Sequence, residues 1–343
     1  MSTKLDGSSE GVLASACDAI TDLVTGSSIP APIKKNALKA FGQLCTAAID
    51  IPVAHLEGVS AEKRAETQAR IKIISTGADQ IAKQMDVDPE YARAAVKKYG
   101  QKIVREQVNL DKASEIAAHQ IHQDLMHSSS KPSETTDIPT INEDWLNSFE
   151  KEASQKSTEE MQLLFGRILA GEIQRPSSFS IRTIKLLGQL DSNAASLFSC
   201  LCSLCLSLEA RDIVFDLRVP SLGGNAGSNA LSNYGLNFGQ LNILHEYGLI
   251  ISDYNSYMDY RGCIVNDNNQ IAAILSYQNR KYGLVSSVER SHDQAFHVHG
   301  VALSRSGMEL LRIVDIEPSN NYTTSLIEYF AAQNLQMLEI TEQ

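Results

Sequence analysis

No uncharged run in this sequence has both the length and the apolar density of a membrane span. The nearest is Ser192–Leu208, 17 residues between Asp191 and Glu209, five of them serine. A spanning helix needs about 20 mostly apolar residues, so this stretch reads as a buried core helix. The opening residues lack an apolar segment beside a basic one, so no secretory signal is read and a reducing cytoplasm is the expected compartment. The six cysteines, Cys17, Cys45, Cys200, Cys202, Cys205 and Cys263, are too scattered to form a disulfide framework. No internal repeat is evident. G-x-S-x-G, H-E-x-x-H and the kinase motifs are missing, and no serine has the flanks of an activated nucleophile. The glycine-rich GGNAGSN from Gly223 lacks the Lys–Ser/Thr of a phosphate loop and the Rossmann spacing, so it reads as a flexible loop. No catalytic residue, cofactor site or metal site is assigned.

What is present is an ordinary soluble composition. Of 343 residues, 43% are apolar and 21% charged, with a formal charge of −11. The length sets a prior of two to three domains. The acid excess is uneven. Residues 1–130 carry 15 basic and 16 acidic side chains, and the remainder 15 and 25. An acidic C-terminal part disfavours broad nucleic-acid binding, because phosphate affinity needs clustered Lys and Arg.

Apolar residues recur at helical spacing over residues 11–27 and again over 33–50, where Pro52 breaks the pattern. A long helix is read from Ser60, and another from Pro89, either continuous or broken near Gly100. Ser128–Thr140, rich in Ser, Thr and Pro, reads as a linker. Asn142 or Asp144 caps a helix through Trp145 and Phe149. Ser157 with Glu160 forms a capping-box pattern before the next, and Ser180 begins a third. Beyond residue 236, a helix stopped by Gly248 leads to a strand. Short runs rich in Tyr, Ile and Val follow, and they suggest a small antiparallel sheet. Two further helices and a final strand, LQMLEI, complete the chain. The expected organisation is a helical domain over 1–127, a linker over 128–141, a helical core over 142–210 and an α+β part over 211–343. The fold class is therefore mainly α with a C-terminal α+β part.

Cys200-x-Cys202-x-x-Cys205 lies among Leu and Phe with no second ligand pair, so buried packing is preferred to a metal knuckle. His297-x-His299 places two imidazoles on one strand face, with His292 nearby, and His119 and His122 form a helical pair. No third ligand can be named in either case. Arg93, Lys97, Lys98, Lys102 and Arg105 spread over about half the circumference of one helix. They are the candidate nucleic-acid contacts, weighed against a solvated face. The helix–Gly248–Leu249–Ile250 phrase has winged-helix-like features. Its helix, GQLNILHEYG, has no Lys or Arg, which favours packing or protein contact over base readout. The helix near residues 11–27 has two Asp and no Lys on its polar face, a poor match to an anionic membrane surface.

The densest segment runs from Trp145 to Asp191. Gly166, Ala170 and Gly171 form a small-residue edge that lets another helix approach closely. Glu172 and Arg182 flank the Pro176 turn and are placed to pair across it. Gly166, Gly171, Glu172, Pro176 and Arg182 are the candidate interaction or hinge residues. The segment, carried by Trp145, Phe149, Phe165, Leu169, Gly171, Pro176, Phe179, Arg182 and Leu190, resembles the bacterial domain-of-unknown-function family 2806. The phrases at Gly248 and Ala302 fit it too. That group is similar in turn to the abortive-infection alpha family of phage-resistance proteins. The leading reading is a non-enzymatic cytosolic bacterial protein that works by protein–protein contact or self-assembly, and the resemblance implies phage defence of the abortive-infection type as its context. The resemblance supplies no catalytic residues. A nucleic-acid-associated regulator is the alternative, and an enzyme such as a nuclease the third reading.

Overall fold

The computed structural model describes residues 8–26, 29–45, 83, 86–127, 138–211, 213–265, 270–291 and 294–340. The helix read from Ser60, most of the 128–140 linker and His292 lie outside the described residues. Two compact units are present, Met1–Gly188 and Gln189–Gln343. They divide between Gly188 and Gln189, whereas the sequence reading placed its boundaries at 128–141 and 210. The physical reason is that helices before and after segment 128–141 pack on one another.

The first unit is helical: α1 (Ser8–Thr25), α2 (Ala31–Leu44), α3 (Pro89–His127), α4 (Glu143–Ala153), α5 (Glu159–Gln174) and α6 (Ile181–Gln189). Pro30 and Pro32 start α2, where a missing N–H costs nothing. The α3 helix is continuous through Gly100 over 39 residues. Its buried face includes the small residues Ala113, Ser114, Ala117 and Ala118, and α1 and α5 pack along it. The Asn142 side chain caps α4 by accepting from Trp145 N. Thr158, one residue later than expected, caps α5 by accepting from Met161 N. Trp145 stacks on Phe149 at 5.4 Å, and Phe149 meets Phe165 edge-on at 5.7 Å. Buried Asn36 ties α2 to the chain after the linker. It donates to Pro139 O and accepts from Ile141 N.

The second unit holds α7 (Ser192–Ser203), β1 (Leu206–Ala210), β2 (Ile213–Pro220), α8 (Phe238–Glu246), β3 (Ser256–Asp259), β4 (Ile274–Tyr277), β5 (Arg280–Ser286), β6 (His297–Ala302), α9 (Arg305–Leu311), α10 (Asn320–Ala332) and β7 (Leu335–Glu339). The strands form one antiparallel seven-stranded sheet in the order β3-β6-β2-β1-β4-β5-β7. The run Ser192–Leu208 is thus not one helix. It ends as a helix at Ser203 and enters the sheet at Leu206, because an unbroken apolar run satisfies a buried strand as well as a helix. Arg261–Cys263 is a 3₁₀ turn and Ile264 makes an isolated bridge to Leu284, where the Ile- and Val-rich sequence suggested a strand, and Ile250 likewise makes only a bridge. Tyr322, Leu326 and Phe330 on α10 are buried, and the Tyr322 hydroxyl donates to Pro220 O at 2.8 Å. No helix among the described residues is long and apolar enough to cross a membrane.

Candidate functional site

The helical hairpin α5–α6 is built from the small residues singled out in the sequence. A Cβ added to Gly166 would lie 2.5 Å from Ile116 Cγ2 and 2.7 Å from Ile116 Cβ, so α5 meets α3 at a contact only glycine allows. At Gly171 an added Cβ would lie 2.7 Å from Phe179 Cε2. Glu172 is 1% exposed. Its carboxylate accepts from Ser177 N at 2.6 Å and Phe179 N at 3.1 Å, closing the turn after Pro176. Trp145 Nε1 donates to Phe179 O at 2.8 Å from the other side. Arg182 is exposed and makes no ion pair with Glu172 among the described residues. The pairing expected across Pro176 is replaced by bonds to backbone N–H groups. Leaving such groups buried and unmet would cost about 1–3 kcal/mol each. These residues fix the angle between two helices and are engaged inside the first unit.

The five basic residues of α3 are all exposed, but they do not form one patch. Lys98, Lys102 and Arg105 follow i, i+4, i+7 spacing and share a face. Arg93 and Lys97 lie roughly 100° or more around the helix from Lys98. Lys102 pairs with Glu106 at 3.6 Å. Beside Lys102 and Arg105 the helix borders a cavity of about 430 Å³ that also reaches Asn109, Ser154 and Ser157. In the second unit α8 carries His245 but neither Lys nor Arg.

His297 and His299 do share an exposed strand face, with Val298 buried between them. Register places Tyr257 of β3 opposite His299 and Asp259 opposite His297. The Tyr257 ring lies 4.3 Å from His297 and 5.2 Å from His299, centroid to centroid. Burial alone would raise the Asp259 pKa. The N–H groups of Phe296 and Arg261, together with the Arg261 guanidinium, outweigh it and hold the carboxyl below its ordinary value. No group of three His, Cys, Asp or Glu converges as a metal site among the described residues. The GGNAGSN segment is held by its own asparagines. The Asn225 side chain accepts from Gly227 N, and that of Asn229 from Phe238 N.

Cys202 and Cys205 are buried and Cys200 is half-buried, with its thiol directed at Tyr234 O. Burial pushes the Cys202 and Cys205 thiols well up, and Cys263 to about 12. A thiolate is the reactive form. Alkylation of the native protein at mildly alkaline pH is therefore expected to label at most Cys17 and Cys200, with all six reacting after denaturation. Mass mapping checks this, and native labelling of Cys202 would contradict the packing.

Two features of β2 escaped the sequence reading. Asp216 and Arg218, at i and i+2, are both buried and form a bidentate pair, Nε to Oδ2 and Nη2 to Oδ1. Arg218 Nη1 also donates to Ser256 O at 2.8 Å and Val298 O at 3.1 Å, and the buried Tyr260 hydroxyl donates to Asp216 Oδ2 at 2.9 Å. This network joins β2, β3 and β6. At the other end of the strand, Ile213, Val214 and Phe215 are 57%, 40% and 58% exposed. β2 pairs with β6 only over Arg218–Pro220, with one further bond from Leu303 N to Leu217 O. Residues 213–216 therefore form a projecting β1–β2 ribbon with an open main-chain edge among the described residues.

Residues 93–327 match the family described as Protein of unknown function (DUF2806). The chain belongs to the DUF2806 family. No curated protein and no solved structure matches it. The DUF2806 span takes in nearly all of α3, the helical hairpin and the sheet up to α10. Two phrases distant in the DUF2806 sequence adjoin in the fold. Ile250 bridges Leu303, Ser304 N donates to Leu249 O, and Ile251 N donates to Ala302 O. Gly307 is required there, because an added Cβ would overlap the Leu249 carbonyl.

Proposed function

We propose that this DUF2806 protein acts without catalysis, by protein–protein contact through the β1–β2 ribbon, in phage defence of the abortive-infection type. The observation that carries the contact is the run Ile213–Val214–Phe215, three consecutive apolar residues exposed on the part of β2 that has no partner on its β6 side among the described residues. Such an edge is a template for an added strand: main-chain bonds supply affinity, and alternating side chains supply specificity. The ladder with β1 shifts at Phe215: Leu208 faces Asp216 and Glu209 faces Val214, so Phe215 is an extra, bulged residue of β2 with no partner opposite it. The defence context comes from the family resemblance alone.

The test is phage plaquing on cells carrying the wild-type gene, no gene, or a variant with Ile213→Ser and Phe215→Ser. Wild-type protection lost in a variant of unchanged melting temperature is expected. Equal protection by the folded variant would remove the ribbon as the contact. An absence of wild-type protection would remove the defence context.

A nucleic-acid-associated role is the second reading, favoured by the shared face of Lys98, Lys102 and Arg105. Salt-dependent retention on DNA tests it, and no retention at low salt counts against it.

A further inference from the structure

We propose that the cavity between α3 and the α4–α5 turn binds a small phosphomonoester. It encloses about 430 Å³. A bare phosphate would fill only a fraction of that volume, which falls in the lower range of small-molecule sites. Its walls bear Lys102, Arg105, Glu106 and Asn109 from α3, with Ser154 and Ser157 from the turn. Every one of these side chains carries a polar group, which favours a polar ligand over an apolar one.

The charges select an anion. Glu106 lies 3.6 Å from Lys102 and offsets part of its charge. Arg105 makes no ion pair among the described residues and is the uncompensated cation. Its planar fork of N–H donors fits two phosphate oxygens at once, which an ammonium does not do. The Ser157 hydroxyl adds a neutral donor, while the Ser154 hydroxyl already donates to Lys151 O at 3.1 Å. Lys98, one helical turn from Lys102, extends the cationic face beyond the cavity.

The turn is held in place before any ligand arrives. Asn109, 4% exposed, donates to Ser154 O at 2.7 Å and accepts from Gln162 Nε2 at 3.2 Å. Gln162 Nε2 also donates to Lys156 O at 3.2 Å, so two side-chain amides clamp the turn against α3 and α5. A preformed wall lowers the ordering cost of binding. The site lies in the first unit and is independent of the ribbon reading.

Isothermal titration of the full chain tests the site with a nucleoside monophosphate, a hexose phosphate, inorganic phosphate and the parent nucleoside. Binding of at least one phosphomonoester more tightly than inorganic phosphate is expected, with no heat from the nucleoside and weaker binding as salt rises. The tighter of the two esters identifies the source of the phosphate group. Arg105→Gln, at an exposed position, is expected to weaken binding by about tenfold or more while leaving the melting temperature unchanged. Any one of three results would overturn the site: no heat from either ester, equal binding of the nucleoside, or unchanged affinity in Arg105→Gln.

Discussion

Arg218→Ala is expected to destabilise the second unit by about 3–5 kcal/mol, the usual cost of removing one partner from a buried ion pair. Arg218 is 2% exposed and Asp216 7% exposed, so water cannot replace the lost guanidinium. The substitution leaves the Asp216 carboxylate with the Tyr260 hydroxyl and strips donors from Ser256 O and Val298 O. Three strands lose a shared tie at once. The triple variant Asp216→Leu, Arg218→Met and Tyr260→Phe is expected to recover most of the loss, since apolar groups of similar volume leave no charge buried. Urea unfolding followed by hydrogen exchange at β2 and β6 reads both effects. A loss below about 1 kcal/mol for Arg218→Ala would show the network to be solvated.

Gly166→Val is expected to cost the helical unit about 3 kcal/mol, and Gly166→Ala about 1–2 kcal/mol. Two effects oppose each other. Removing a mid-helix glycine gains about 0.5–1 kcal/mol of helix propensity. The new Cβ, however, would sit 2.5 Å from Ile116 Cγ2 and 3.0 Å from Ala113 O, and the second is backbone that cannot rotate away. The clash wins. Ile116 is only half-buried, so Ile116→Ala in the Gly166→Ala background is expected to restore part of the loss, a non-additivity that a double-mutant cycle measures. Gly239→Ala is the control. Its nearest neighbour, Asn237 Oδ1, would lie at 3.4 Å, an ordinary contact, and the substitution is expected to be close to neutral. A Gly166→Ala variant as stable as wild type would mean that α3 and α5 sit farther apart than described.

The helical hairpin was legible because its information is local. Gly166 and Ala170 stand at i, i+4 spacing among apolar residues, and the caps at Asn142 and Thr158 lie within a residue or two of where turn chemistry puts them. The sheet was legible only in its second half. β2 inverts the usual pattern, with Ile213, Val214 and Phe215 outside and Asp216 and Arg218 inside. A reading that sends apolar residues inward passes over such a strand. The partners that make the inversion tolerable, Ser256, Tyr260 and Val298, lie 38 to 80 residues away from Arg218 or Asp216, beyond any local signal. The Glu172–Arg182 pairing misled for a related reason. Spacing shows which charges are near, but a buried carboxylate goes first to the backbone N–H groups that nothing else satisfies. The cavity beside Arg105 draws on residues about 50 positions apart. Its basic half was visible as a helix face, and the serine half was not.

The strand order also bears on how the second unit reaches its native state. β6 lies between β2 and β3, yet it follows them by some 80 and 40 residues. Until β6 arrives, β3 has no neighbour and the whole of β2 keeps one side open. Pairing of that separation is slow, because loop closure precedes its reward. During refolding from denaturant the open edge therefore extends from Ile213 to Pro220, so recovery of soluble protein should fall as concentration rises and β2 finds other chains before it finds β6.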